Sequence, residues 1–316
     1  MTYSTKYTVL KRLLETGDNY ISGSEIAESL NISRNAVWKA VKNLESDGIV
    51  IDSVTAKGYR LGCRDILAPE LMPGRKAVIL EEIDSTNNYA KKLAAQGEPA
   101  GTVVLADTQT GGKGRLGRSF VSPKGRGLYM SMILRPEFDI SLAPLITSAA
   151  AVAAAESVEE LCGCDAAIKW VNDLYVGGKK ICGILTEASI NMEMNSLDYA
   201  VVGIGINTAA YDFGELGSRV TDLESETGIR PNRCELCAKI ADKLEYWMDN
   251  MEKRLHLDEY RRREMLTGSI ISADFGGEKI VGLALGVDEN ANLAVETENR
   301  KRVVLTSGEA SLIRKI

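Results

Sequence analysis

Histidine is almost missing from this chain: His256 is the only one among 316 residues. Catalytic designs that set an imidazole base beside a serine or cysteine, or several imidazoles around a metal, are therefore set aside. His256 itself falls at the end of a long helical pattern, where a solvated position is expected. Cysteine is also scarce, with six residues scattered along the chain. Cys162-Gly-Cys164 and Cys234-Glu-Leu-Cys237 are close pairs, but neither has a matching second pair to complete a zinc site. Buried or incidental thiols in a reducing cytoplasm are expected. No long hydrophobic run exists either. The most apolar stretch, 142–155, contains Pro144 and stops at Glu156, too short to span a bilayer. Met1-Thr-Tyr-Ser-Thr-Lys lacks the apolar core of a signal peptide, so a cytoplasmic location without membrane contact is expected. Basic charge is not in excess: the net charge of −6 argues against a general polyanion binder, while leaving room for a local nucleic-acid module.

What is present is ordinary in bulk and unusual in one place. Apolar content of 45% and charged content of 26% are those of a soluble globular protein, and the length fits two or three domains. The unusual place is Gln109-Thr-Gly-Gly-Lys-Gly-Arg-Leu-Gly-Arg118, with four glycines and three cations in ten residues. Glycines let backbone N–H groups converge on an anion, and Lys113, Arg115 and Arg118 add charged donors. Gly112, Gly114 and Gly117 match the dinucleotide pattern, but Pro123 and Gly125 follow where that pattern needs a helix. The Walker pattern fails because Gly114 follows Lys113. The loop suits a triphosphate, or a carboxylate about to meet one; the competing reading is a solvated basic hairpin.

Residues 1–62 read as a winged helix-turn-helix. Ser22 and Glu25 have capping-box spacing ahead of a short helix, and Asn31-Ile32 makes the turn. Ser33 caps a second helix from Arg34 to about Asp47, with Val37, Val41 and Leu44 on one face and Gly48 as the stop. In this motif the second helix enters the major groove. Arg34, Asn35, Lys39 and Lys42 lie off the apolar stripe and, with Ser33, suit phosphate and base-edge contacts. Two short strands flank Thr55-Ala-Lys-Gly58 as a wing, where Lys57 and Arg60 reach toward phosphate. The segment carries 8 basic and 7 acidic residues, a balance of only +1. Its cations cluster on the second helix and wing, which favours DNA over a protein partner.

The central segment mixes helices and strands. Asp84-Ser-Thr-Asn87 precedes a helix through Ala95, for which Ser85 or Thr86 is the expected cap. Residues 141–162 form an Ala-rich helix apolar on most faces, hence buried. Strands are expected at 166–171, 174–176, 179–185 and 200–206, with a break at Asn172-Asp173 and a turn at Gly177-Gly178. Residues 234–255 form an amphipathic helix with Leu236, Ile240, Leu244, Met248, Met251 and Leu255 as its core stripe. From Gly268 onward short strands and frequent turns predict a small SH3-like barrel. For Glu309, near the C-terminus, a surface position is the default reading and a place facing the nucleotide side the alternative.

Five segments together resemble the biotin–protein ligase family: Asp84-Ser-Thr-Asn, the 109–118 loop, Lys169-Trp-Val-Asn-Asp, Lys180-Ile-Cys-Gly-Ile-Leu and Gly203-Ile-Gly-Ile-Asn. With a winged helix in front and a β domain behind, the resemblance spans essentially the whole chain, in the form that also represses biotin genes. Val171 stands where the pattern has proline, and Phe120 where tryptophan is common. The fold implied is a multidomain α+β chain: winged helix-turn-helix over 1–62, mixed α/β ligase domain over 63–267, SH3-like β barrel over 268–316. The resemblance implies that biotin and Mg-ATP give biotinyl-5′-AMP, whose biotin passes to a lysine of biotin carboxyl carrier protein.

The resemblance also places residues. Ser85, Thr86 and Gln109 would hold the neutral ureido ring, whose buried polar atoms need partners, and Asn87 would also belong to the ligand site. Gly112, Lys113, Gly114, Arg115 and Asn207 would line the ligand, with Phe120 stacked on adenine. Arg115, Arg118 and Lys180 would act on carboxylate and phosphate. Asn172 and Asp173 would orient adenylate or metal; no metal ligand is assigned. Operator DNA and a ligand-dependent homodimer complete the expected partners. Two alternatives remain at this level: a ligand-sensing regulator without ligase activity, and a lipoate-type acyl ligase.

Overall fold

The computed structural model describes residues 4–62, 65–72, 74–191 and 193–315. The expected boundary at 62/63 and the opening Met1-Thr-Tyr therefore lie outside, or at the edge of, the described residues. The chain divides into two compact units, one of residues 1–79 with 232–235, the other of 80–231 with 236–316.

The first unit holds α1 (Thr5–Thr16), α2 (Gly23–Ser29), α3 (Arg34–Ser46) and a hairpin of β1 (Ile51–Val54) and β2 (Gly58–Leu61). The capping box at Ser22 and Glu25 is formed in both directions, and Ser33 accepts from Ala36 N at 3.1 Å to start α3. Helix α1 lies outside the elements expected from the sequence. Ser4 caps it, and Val9, Leu10 and Leu13 pack with Ile26, Val37, Val41 and Leu44 in one core.

The second unit is built on a seven-stranded sheet. Its elements in chain order are β3 (Ala77–Ile83), α4 (Thr86–Ala95), β4 (Val103–Gln109), β5 (Gly127–Leu134), α5 (Leu145–Cys162), β6 (Ala167–Lys169), β7 (Asp173–Val176), β8 (Lys179–Asn191) and β9 (Ser196–Asn207). The strand order is β3-β4-β5-β9-β8-β7-β6, and β4 through β6 pair antiparallel along that row. Central β5 is buried along its whole length. Pro144 sits just before α5, where no N–H is required, and the Ala-rich helix is buried on nearly every face as expected. No helix among the described residues is long and apolar enough to cross a membrane.

Beyond the sheet come α6 (Leu223–Thr227), α7 (Arg233–Asp249) and α8 (His256–Arg263), then β10 (Ser269–Phe275), β11 (Glu278–Val287), β12 (Leu293–Thr297), β13 (Arg302–Leu305) and β14 (Glu309–Lys315). The last five strands form an antiparallel sheet of order β13-β12-β11-β10-β14. Helix α7 stops six residues short of the expected end. A 3-10 turn at Met251–Lys253 and left-handed Arg254 redirect the chain, so Leu255 leaves the core stripe and is 45% exposed. Strand β6 likewise ends at Lys169, before the expected break, because Trp170 turns inward and donates Nε1–H to Ala291 O at 2.8 Å.

Candidate functional site

One cleft gathers most of the residues singled out from the sequence, and the elements explain how. At the start of α4, Ser85 occupies the cap position yet makes no capping bond, contrary to the expected role. It is buried, as are Thr86 and Asn87. Gln109, at the end of β4, accepts at Oε1 from Thr86 N at 2.8 Å and from the Thr86 hydroxyl at 3.1 Å, while its Nε2 donates to Ser122 Oγ at 3.0 Å. Ser131 of β5, fully buried, reaches Thr86 Oγ1 at 2.8 Å and Asn87 Oδ1 at 2.6 Å. Asn87 also donates to Leu185 O and Glu187. The result is a fixed, uncharged hydrogen-bonding wall.

The glycine loop closes on itself through Gly114 N to Arg118 O at 2.7 Å and Phe120 N to Gly112 O at 2.9 Å. Gly112 has no room for a side chain: a Cβ there would meet Phe120 O at 2.4 Å. Arg115 donates to Asn172 Oδ1 at 3.0 Å and to Gly308 O at 3.1 Å, and Arg118 pairs with Glu309 at 2.5 Å. That bond holds the Glu309 carboxyl below its usual range. Glu309, expected as a surface residue, thus lines the cleft. The Phe120 ring lies over the strand floor, where Gly183 and Gly205 leave it space; a Cβ on Gly205 would sit 2.6 Å from the ring.

The far end of the cleft is charged. Lys180 Nζ lies 2.7 Å from Asp173 Oδ1, close enough for an ion pair but not aligned as a directed hydrogen bond. Lys169, which the sequence reading left without a role, also lines the cleft; burial lowers its pKa. The Trp170–Val171 peptide is cis. Two expected residues fall outside the lining: Gly112 supports it from behind, and Asn207 donates its amide to Thr221 O at 2.9 Å. Ser85, Thr86, Asn87, Gln109, Lys113, Gly114, Arg115, Arg118, Phe120, Asn172, Asp173 and Lys180 all reach it.

His256 corrects the sequence expectation outright. It is fully buried, its Nε2 3.0 Å from Ser148 Oγ and its ring edge-on to Trp247. Desolvation, with Arg254 and Arg261 nearby, pushes its pKa down to about 4. The exposed position in that stretch is Leu255 instead. Cys162, Cys182, Cys234 and Cys237 are buried, as expected, Cys164 is half-buried, and none of the five forms a disulfide.

In the first unit, Arg34, Asn35, Lys39 and Lys42 are exposed on α3, and Lys57 is exposed at the wing tip. Lys42 pairs with Glu45 at 2.7 Å, while Arg60 is held by Asp52 and the Tyr20 ring. The hydroxyl of Ser33 is committed to its cap. A groove runs between α3 and the wing, lined by Arg34, Asn35, Trp38 and residues 53–56. Trp38, not singled out from the sequence, is 51% exposed there.

A cation-rich, glycine-looped cleft on an α/β sheet, in a chain that opens with a helix-turn-helix, defines a class: an acid-activating enzyme coupled to a DNA-binding module. Residues 79–207 match the Biotin/lipoate A/B protein ligase family, and residues 5–60 match an HTH domain. The bifunctional ligase/repressor BirA of Bacillus spizizenii is 34% identical, over 92% of this chain and 95% of its own. BirA of Escherichia coli is 29% identical, over 90% and 91%. Among solved structures, the biotin protein ligase from Aquifex aeolicus in complex with biotin and ATP is similar, with 30% identity and a TM-score of 0.64, covering 76% of this chain and 99% of that one. The chain belongs to the biotin protein ligase family, in its bifunctional ligase/repressor form.

Proposed function

We propose that this chain activates biotin with ATP to biotinyl-5′-AMP, transfers the biotin to a lysine of biotin carboxyl carrier protein, and represses biotin genes through its helix-turn-helix. The observation that carries this reading is the union, in one cleft, of a buried neutral hydrogen-bonding wall with five cations. The wall at Ser85, Thr86 and Gln109 matches a neutral ureido ring, whose buried polar atoms need fixed partners. A biotin carboxylate oxygen attacks the α-phosphorus, the bond to the β-phosphate bridge breaks, and pyrophosphate leaves. Arg115, Arg118 and Lys180 stabilise the charge that develops. Phe120 offers adenine an aromatic face, and Asn207 supports the strand end from outside the lining. The mixed anhydride is labile to water, so a loop that folds over it protects it. The carrier amine then attacks the acyl carbon, AMP departs, and a proton is lost.

Mg2+ accompanies ATP and favours one or two carboxylates over a full protein cage. Asp173 and Glu309, hard oxygen donors in the cleft, fit that role. A cytoplasmic location, a ligand-dependent homodimer and operator contacts from Arg34, Asn35, Lys39, Lys42 and Lys57 belong to the same proposal. So do the three-domain division at 62/63 and 267/268 and an SH3-like fold for the last five strands. The test is pyrophosphate exchange with biotin and ATP, followed by transfer to carrier protein. No biotin-dependent exchange would leave a sensing regulator, and exchange with lipoate alone would leave a lipoate-type ligase.

A further inference from the structure

Five cations line the cleft, Lys113, Arg115, Arg118, Lys169 and Lys180, against two carboxylates, Asp173 and Glu309. Four of the five are engaged. Lys113 donates to Asn88 Oδ1 at 3.0 Å, Arg115 to Asn172 and Gly308, Arg118 to Glu309, and Lys180 lies on Asp173. The ammonium of Lys169 makes no hydrogen bond or ion pair with any described residue; its Nζ stands 5.9 Å from the centroid of the Tyr175 ring. The lysine is partly buried, and an unpaired, partly desolvated charge costs the fold free energy. Asp173, its partner across the β6–β7 ladder, is turned to Lys180 instead. No described carboxylate pairs directly with this charge: Asp173 and Glu309 favour it only at longer range, each being paired with another cation.

Its place in the sheet says what does. The uncharged wall comes from α4 and the end of β4, whereas Lys169 ends β6, the opposite edge strand. Five strand spacings of about 4.8 Å separate β4 from β6. Lys180 on β8 and Asp173 on β7 lie between them. On the ligase reading, an acid anchored at the wall with its carboxylate at Lys180 would leave β7 and β6, beyond Lys180, for the leaving phosphates of the nucleotide.

We propose that Lys169 is a further catalytic residue, whose ammonium holds the β- and γ-phosphates and stabilises them as they depart as pyrophosphate. The proposal rests on the ligase reading of this cleft. In the adenylation step the electron pair of the breaking P–O bond goes to the pyrophosphate oxygen, so negative charge grows where Lys169 stands. A compact point charge suits a group that must let its anion go. In the second step no β- or γ-phosphate is present, and Lys169 has nothing to hold.

The test separates the two half-reactions in the full-length protein. Lys169→Met and Lys169→Arg are compared with the unaltered protein in biotin-dependent ATP–pyrophosphate exchange, in the KM for ATP, and in single-turnover transfer from preformed biotinyl-5′-AMP to carrier protein. Lys169→Met is expected to lose about 10- to 100-fold in exchange, the range for one charged hydrogen bond. Its KM for ATP rises, transfer changes far less, and Lys169→Arg recovers part of the loss. Unchanged exchange overturns the proposal. Equal loss in both half-reactions means a structural role and also overturns it, as does loss confined to transfer, which would make Lys169 the base for the incoming amine. Absence of exchange in the unaltered protein would overturn the ligase reading itself, a distinct result.

Discussion

Gly205 shows how a single residue without a side chain shapes the cleft. A Cβ at this position would lie 2.6 Å from the Phe120 ring, so Gly205→Val must displace the ring from the floor. Overpacking of this kind costs about 1–3 kcal/mol, and here it falls on the proposed nucleotide face. The expected outcome is a several-fold higher KM for ATP with biotin affinity nearly kept; equal effects on both ligands would detach Phe120 from adenine. His256 carries the other residue-scale prediction. The folded chain keeps its imidazole neutral down to about pH 4, against an ordinary value of 6.5. Between those values the unfolded chain binds more protons, so stability falls as pH is lowered through the window, by roughly 3 kcal/mol at most. Glu156, raised by desolvation and bonded by Trp247, acts in the opposite sense and trims the effect. His256→Asn should be less stable at pH 7 but show a shallower fall in urea midpoint between pH 7 and 4.5. Parallel curves for the two proteins would clear His256 of the acid sensitivity. The stacking role expected of Phe120 was legible in the sequence, but the burial of His256 was not, because it depends on packing against Ser148 and Trp247, more than a hundred residues and nine residues away respectively.

At the scale of elements, legibility followed the range of the forces involved. The capping box of α2, the Ser33 cap of α3 and the turn at Gly177-Gly178 were readable because each is decided within a few residues. The end of α7 was not, since its apolar stripe continues in register past Asp249 and only the 3-10 turn and Arg254 break it. Ser85 sits in a cap position but spends no hydroxyl bond there, and this local rule failed beside the cleft. Glu309 was placed by the pairing of its strand with one 35 residues earlier in the chain, Asp274↔Glu309, which no spacing pattern encodes. The recognition helix yields an element-scale prediction. Arg34 and Trp38 line the groove beside the wing. Arg34→Ala should weaken binding to a duplex from the gene's own upstream region across all sequences and reduce the salt slope by about one. Adenylation should be untouched. A fall in adenylation with unchanged DNA affinity would reassign α3 to a protein contact.

For the whole molecule, the proposed function couples two activities through one ligand. A helix-turn-helix segment with a balance of +1 neutralises few phosphates, so tight specific binding calls for two copies on paired half-sites. The first part of the loop at 109–118 is tied to its unit by Gln109, by Thr110 N and Gly111 N to the Ile83 and Asp84 carbonyls, and by Lys113 to Asn88, while its tip is held by Arg115 and Arg118 to Asn172, Gly308 and Glu309. Ordering a glycine-rich backbone costs about 1–2 kcal/mol per residue, and an adenylate that supplies further contacts meets that cost. A dimerisation step that needs the loop ordered is then favoured once the adenylate is bound, and by reciprocity the dimer holds the adenylate more tightly by the same factor. On this proposal, carrier protein awaiting biotin would consume the adenylate and so lower occupancy of the operator. The prediction is that biotin plus ATP shifts the protein from monomer toward dimer and strengthens DNA binding in parallel. Arg118→Ala, by loosening the loop, should reduce both responses together, even at saturating biotin. Sedimentation with and without adenylate, paired with a DNA titration, measures the two. Equal dimerisation and equal DNA affinity in both states would uncouple the activities and leave two independent modules on one chain.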